Sequence, residues 1–217
     1  MRHHDRPERA LALGLAMLAG YVDALGFLQL NGLFVSFMSG NSTRLAVGAA
    51  LANPAGLLAG ALIAAFVVGV IAGSAAGHLA RDAREPVVLA ATFVLLVISA
   101  SGHAIGTTYP IPTLFMAAAM GAANNVFQRA GEVSVGVTYM TGTLVKLGQH
   151  VAAALFGGPR FGWMPYLLLW LSLVAGAIGG AITFPLLGLT AIWLATAFAL
   201  MLMVAAIVIN RASCARR

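Results

Sequence analysis

Long apolar runs alternate with short polar interruptions along this chain. Runs 55–80, 87–104, 114–126, 166–182 and 186–209 are nearly free of charge, and a helix needs about 20 apolar residues to cross a hydrocarbon core roughly 30 Å thick. The pattern therefore predicts several membrane-spanning helices. A further run starts near Ala10, behind the basic stretch MRHHDRPERA. It continues without a small-residue cleavage site, so it predicts a retained first helix from Pro7 to about Leu30 rather than a signal peptide.

Two of the interruptions resemble each other. FVSFMSGNSTRLAVG (residues 34–48) and VTYMTGTLVKLG (residues 137–148) each carry Met, a hydroxyl residue and Gly, followed four residues after the glycine by a cation. Met38-Ser39-Gly40-Asn41 matches Met140-Thr141-Gly142-Thr143, and Arg44 matches Lys146. Upstream, Gly20 and Asp23 fall opposite Gly121 and Asn124; downstream, Gly69, Gly73 and Gly77 fall opposite Ser172, Gly176 and Gly180. The chain thus reads as one membrane domain of two repeats, 10–105 and 111–210, between basic tails 1–9 and 211–217. Small residues four apart let membrane helices pack backbone against backbone, and they also offer a homo-oligomer contact.

Each repeat reads as a long first helix (to about Leu30; 112–128 in the second), a polar break, a short helix, a Gly-rich helix and a final apolar helix. The short helices, roughly 42–52 and 144–156, end at NPAG and GGPR, where Pro and Gly stop a helix. At about 1.5 Å per residue each covers about half the bilayer. The expected fold is all-α and polytopic, with six spans and two short half-helices.

Composition sharpens this picture. Of 217 residues 61% are hydrophobic and 8% charged, against about a quarter charged in soluble domains. The net charge of +6 sits largely in the tails, at Arg2, Arg6, Arg9, Arg211, Arg216 and Arg217, where cations hold membrane ends in the cytoplasm. That placement argues against nucleic-acid binding. Six spans also put RDARE (residues 81–85) and the 129–160 stretch inside with both termini, whereas eight spans put Arg81 and Arg84 outside. Three spans per repeat is an odd number, so the second repeat is inverted, as in many secondary transporters.

Candidate chemistry is sparse. Asp5, Glu8, Asp82, Glu85 and Glu132 lie in tails or loops, leaving Asp23 as the one carboxylate within an apolar helix. Such groups face a polar cavity or a partner; the plainer alternative is that Asp23 caps the broken backbone near Asn31. Arg44 and Lys146 stand one turn into the short helices, whose amino ends attract anions through unpaired N–H groups. Gly40 and Gly142 allow a tight backbone there, and Ser39, Asn41, Thr141 and Thr143 add hydrogen-bonding groups. The alternative for both cations is snorkelling to headgroups. Asn124, Asn125 and Gln128 form a polar turn that also serves simply to join helices. His103 and His150 are isolated, Cys214 is alone, and no phosphate loop, nucleophile elbow or metalloprotease motif occurs. The expectation is no catalysis, no metal and no cofactor.

At GYVDALGFL, FMSGN and MGAANNVFQRAG…YMTGTLVKLG the sequence resembles the YoaK-type family of small bacterial membrane proteins, a domain of unknown function. The match runs over nearly the whole chain. The family's elements fall on Gly20, Asp23 and Ala24 and on Ser39, Gly40 and Asn41, with serine in place of the more usual threonine at 39. The resemblance implies a bacterial inner-membrane protein and supplies no substrate. The function expected is a secondary transporter or permease for a small polar or anionic solute, proton-coupled through Asp23. The competing expectation is a non-transporting scaffold or stress-linked regulatory membrane protein.

Overall fold

The computed structural model describes residues 6–80, 83–129, 132–133 and 138–214. Arg2, Asp5, Arg81, Asp82, Arg216 and Arg217, which carry part of the loop-charge pattern, lie outside the described residues. The helices are α1 (Arg6–Gln29), α2 (Met38–Ala50), α3 (Ala55–Leu79), α4 (Arg84–Ala104), α5 (Ile111–Ala123), α6 (Met140–Leu155), α7 (Met164–Leu187) and α8 (Ile192–Cys214). Two residue pairs, Gln128–Arg129 and Glu132–Val133, form a minimal antiparallel ladder after α5.

Among the described residues, four helical runs are long and apolar enough to cross a membrane: Pro7–Gln29, Ala55–Leu79, Arg84–Ala104 and Met164–Ala212. The last holds both α7 and α8, parted by a 3-10 turn at Gly188–Ala191. Apolar side chains remain on the outside, as on α3, where Val68 and Ile71 are both exposed. The chain is an all-α, multi-pass membrane protein.

Two boundaries differ from the sequence pattern. Both short helices begin four residues earlier than expected, so Met-Ser/Thr-Gly forms their first turn rather than preceding it. With 16 residues, α6 is about 24 Å long, more than half a bilayer. In the opposite sense, α5 stops at Ala123 and does not reach Gln128. Asn124 Nδ2 donates back to the Met120 carbonyl at 2.9 Å, and Asn125 Nδ2 to Gly121 at 3.2 Å. Side chains that bond nearby carbonyls compete with the helix in this way.

Glycine sets the two closest helix pairs. The Leu173 carbonyl of α7 lies where a Gly20 Cβ would stand on α1, and the Met17 carbonyl lies against Gly176. Likewise the Phe66 carbonyl of α3 lies against Gly121 on α5, and the Ala118 carbonyl against Gly69. Further along, the Tyr21 carbonyl meets Gly180 as Met17 meets Gly176, and Ala122 meets Gly73 as Ala118 meets Gly69, so α1 runs the same way as α7 and α3 the same way as α5. By these contacts Gly69 corresponds to Gly176, and Gly73 to Gly180. That is one helical turn beyond the alignment that set Gly69 opposite Ser172. These glycine faces are taken up inside the chain. α8 packs on α4 and on α1, and hydroxyls buried there bond their own helix, as Thr92 to Val88 and Thr196 to Ile192.

The first break doubles back. Asn31 (φ 51°) and Gly32 (φ 96°) turn the chain in the left-handed region, which Gly and Asn tolerate, and Gly32 N–H closes onto the Phe27 carbonyl at 2.8 Å. Residues 33–37 then return alongside α1, bringing Val35 and Ser36 to Asp23. From there α2 runs in the direction of α1 again: Asn41 bonds Phe34, whose ring is 5.0 Å from Phe27, and the Arg44 guanidinium reaches Gly32. α3 folds back on α2, with Gly48 against Gly56.

Candidate functional site

Asp23 lies on α1 at the level of the returning segment. Its Oδ1 accepts the backbone N–H groups of Val35 at 2.9 Å and Ser36 at 2.8 Å. Carboxylate acceptors of this kind make charge-assisted bonds about twice as strong as neutral ones. The carboxylate therefore caps the broken backbone, and it also borders an apolar cavity of about 570 Å³ between α1 and α7, with Phe27, Phe34 and Ala177 in its wall.

Asn41 is wholly buried and holds the same segment from the other side. Its Nδ2 donates to the Phe34 carbonyl at 2.6 Å, and its Oδ1 accepts the Phe34 N–H at 3.0 Å. Residues 34–36 are thus pinned from α1 by Asp23 and from α2 by Asn41. Gly40 is needed locally, because a Cβ there meets the rings of Phe37 and Phe34.

The second break is held differently. The Thr138 hydroxyl donates to Asn124 Oδ1 at 3.1 Å, and both residues are buried. Thr143, at the place of Asn41, donates only to its own helix, to the Tyr139 carbonyl at 3.3 Å. Asn125 joins helices: Nδ2 also reaches the Val70 carbonyl of α3 at 3.2 Å, and its carbonyl accepts Arg84 Nε at 3.1 Å.

The two breaks meet. A cavity of about 260 Å³ is lined by Ser36, Phe37, Met38 and Ser39 from the first, by Thr138, Tyr139, Met140, Thr141 and Gly142 from the second, and by Phe66 near the middle of α3. The first turns of α2 and α6 open onto it. Neither helix has a side-chain cap or an acidic residue in its first turn, so their leading N–H groups and dipole ends present positive potential to the space.

Among the expected site residues, the structure brings Ser39, Thr141 and Gly142 to this cavity. Gly40 and Asn41 shape the wall behind it, and Asp23 and Asn124 each hold a residue of its lining. Arg44 and Lys146 are exposed and do not line it. Ser36 and Thr138 are cavity residues that the sequence reading passed over. Their signal is an upstream extension of the repeat, Ser36-Phe37-Met38 against Thr138-Tyr139-Met140.

Comparison with known proteins agrees with a multi-pass membrane protein. The family described as "Protein of unknown function (DUF1275)" matches residues 11–205. The chain is similar to the UPF0700 transmembrane protein RA0705 of Rhizobium meliloti (strain 1021), 33% identical over 202 residues, which cover 93% of this chain and 87% of that protein. It is also similar to the UPF0700 transmembrane protein YoaK of Bacillus subtilis (strain 168), 27% identical over 153 residues, covering 65% and 66% respectively. No solved structure matches.

Proposed function

The chain belongs to the DUF1275 family of unknown function, and from that premise we propose that it is a secondary transporter or permease for a small polar or anionic solute. The solute binds where α2 and α6 begin, and its movement is coupled to protons through Asp23. The observation that carries this proposal is the convergence of two uncapped helix starts, and of Ser36, Ser39, Thr138 and Thr141, on the lining of one cavity. Among the described residues its lining has no fixed charge, so a small acceptor-bearing solute is bound by hydrogen bonds and helix-end potential, while Arg44 and Lys146 add positive field from the exposed faces.

The helix directions support an inverted repeat. α1 and α2 run one way and α3 runs back, α5 follows α3, and α7 follows α1. The glycine contacts are reciprocal under the same exchange: Gly20 with Leu173 answers Gly121 with Phe66. Counting α2 and α6 as half-helices gives six spans with both termini on the cytoplasmic side of a bacterial inner membrane.

A thermal-shift screen of the purified protein against chloride, nitrate, acetate, phosphate and small neutral polyols tests the proposal. A solute present at a hundred times its dissociation constant stabilises the fold by about 2.7 kcal/mol, visible as a rise of several degrees. No shift with any solute, together with a co-purifying protein, would instead favour a scaffold.

A further inference from the structure

We infer that Asp23 is a proton-operated latch behind the wall of the shared cavity: in its charged form it holds residues 33–37 in place, and in its neutral form it lets them move, whereas the matched place in the second half, Asn124, holds a neutral amide. The purpose given to this latch rests on reading the cavity as a solute site; its operation does not.

The geometry is asymmetric at matched places. In the first half a carboxylate accepts two backbone N–H groups, from Val35 and Ser36, and Ser36 is itself part of the cavity lining. In the second half a neutral amide oxygen accepts one hydroxyl, from Thr138, which lines the opposite side. Protonation removes the charge that strengthens both bonds on the Asp23 side and changes nothing on the Asn124 side.

The position of the first break makes that change mechanical. Asp23 stands on α1, which packs on α7, while Asn41 stands on α2, which packs on α3. Residues 34–36 therefore bridge two packed helix pairs, and loosening the Asp23 end leaves them tied to α2 alone. Among the described residues, no other titratable group lines the cavity beside Asp23. From α7 the residues facing this region are Leu173, Val174, Ala177, Ile178 and Ala181, and the returning segment contributes its backbone. The cation on α2, Arg44, lies against Gly32, and Tyr21 on α1 is engaged with Thr183 and the Ala191 carbonyl.

Amide hydrogen exchange on the full chain in nanodiscs, read on the peptide covering residues 33–37, tests the latch without any solute. At alkaline pH the Asp23→Asn chain should exchange there roughly tenfold faster than wild type, the difference between charged and neutral acceptors for two bonds. The peptide covering residues 138–143 should exchange alike in both. On acidification, after correction for the intrinsic exchange rate, wild type should approach Asp23→Asn. If Asp23→Asn does not fold, the wild-type titration alone decides. Equal protection in both chains at alkaline pH, or a flat corrected titration in wild type, overturns the latch. A working latch in a protein that no solute stabilises leaves it standing and removes transport; a solute-stabilised protein with a flat titration removes the latch alone.

Discussion

The Asp23 carboxylate accepts the backbone N–H of Ser36 at 2.8 Å, across thirteen residues of sequence that leave α1, turn at Asn31 and Gly32 and come back. Without an acceptor at position 23, the N–H groups of Val35 and Ser36 lose their partner in a part-buried site. Asp23→Ala should therefore cost about 1–3 kcal/mol for each N–H left unsatisfied. Asp23→Asn retains an oxygen and should cost less. Thermal melts of the two purified variants check the order, and equal melting temperatures would contradict the capping role.

Glycines with similar sequence settings should respond in opposite ways. Gly20→Val drives a side chain into the Leu173 carbonyl, at an expected cost of about 1–3 kcal/mol or more from overpacking. Gly142 lies within the repeated motif, yet a Cβ there meets nothing within 4 Å. Gly142→Ala should be neutral or stabilising by about 0.5–1 kcal/mol through helix propensity. Melting of both variants against wild type is the check.

Much of the fold is legible in the sequence because apolar run length and breaker residues act locally. The membrane helices and the start of the first break follow from them. What stayed hidden depends on side chains reaching across sequence. Asn124 and Asn125 read as a continuation of α5 until their amides bond its carbonyls and end it. The glycine register slipped by one turn because Ala and Gly recur throughout both helices, and only the facing carbonyls at Gly69 and Gly176 fix the pairing. Ser39, Thr141 and Gly142 were legible as cavity residues through the motif. Ser36 and Thr138 were not, because a lone hydroxyl among apolar neighbours signals nothing until Asp23 and Asn124 are seen to hold those residues.

The course of α2 predicts a labelling result. If α2 climbs back along α1 without crossing, the exposed residues Asn31 and Leu51 should lie on the same side of the membrane. In a Cys214→Ser background, Asn31→Cys and Leu51→Cys should both react with an impermeant maleimide added from one side. Labelling from opposite sides would mean that α2 crosses, giving eight spans.

The central claim is that the solute sits where the two breaks meet. The most direct measurement is a calorimetric titration of whichever solute most stabilises the wild-type protein, carried out on wild type, on Ser39→Ala with Thr141→Val, and on Arg44→Gln with Lys146→Gln. The cavity pair should weaken binding at least about tenfold through lost hydrogen bonds, while the exposed cation pair should weaken it less. Unchanged affinity in the cavity pair, with binding lost in the cation pair, would contradict the central claim and move the site to the outer faces of α2 and α6.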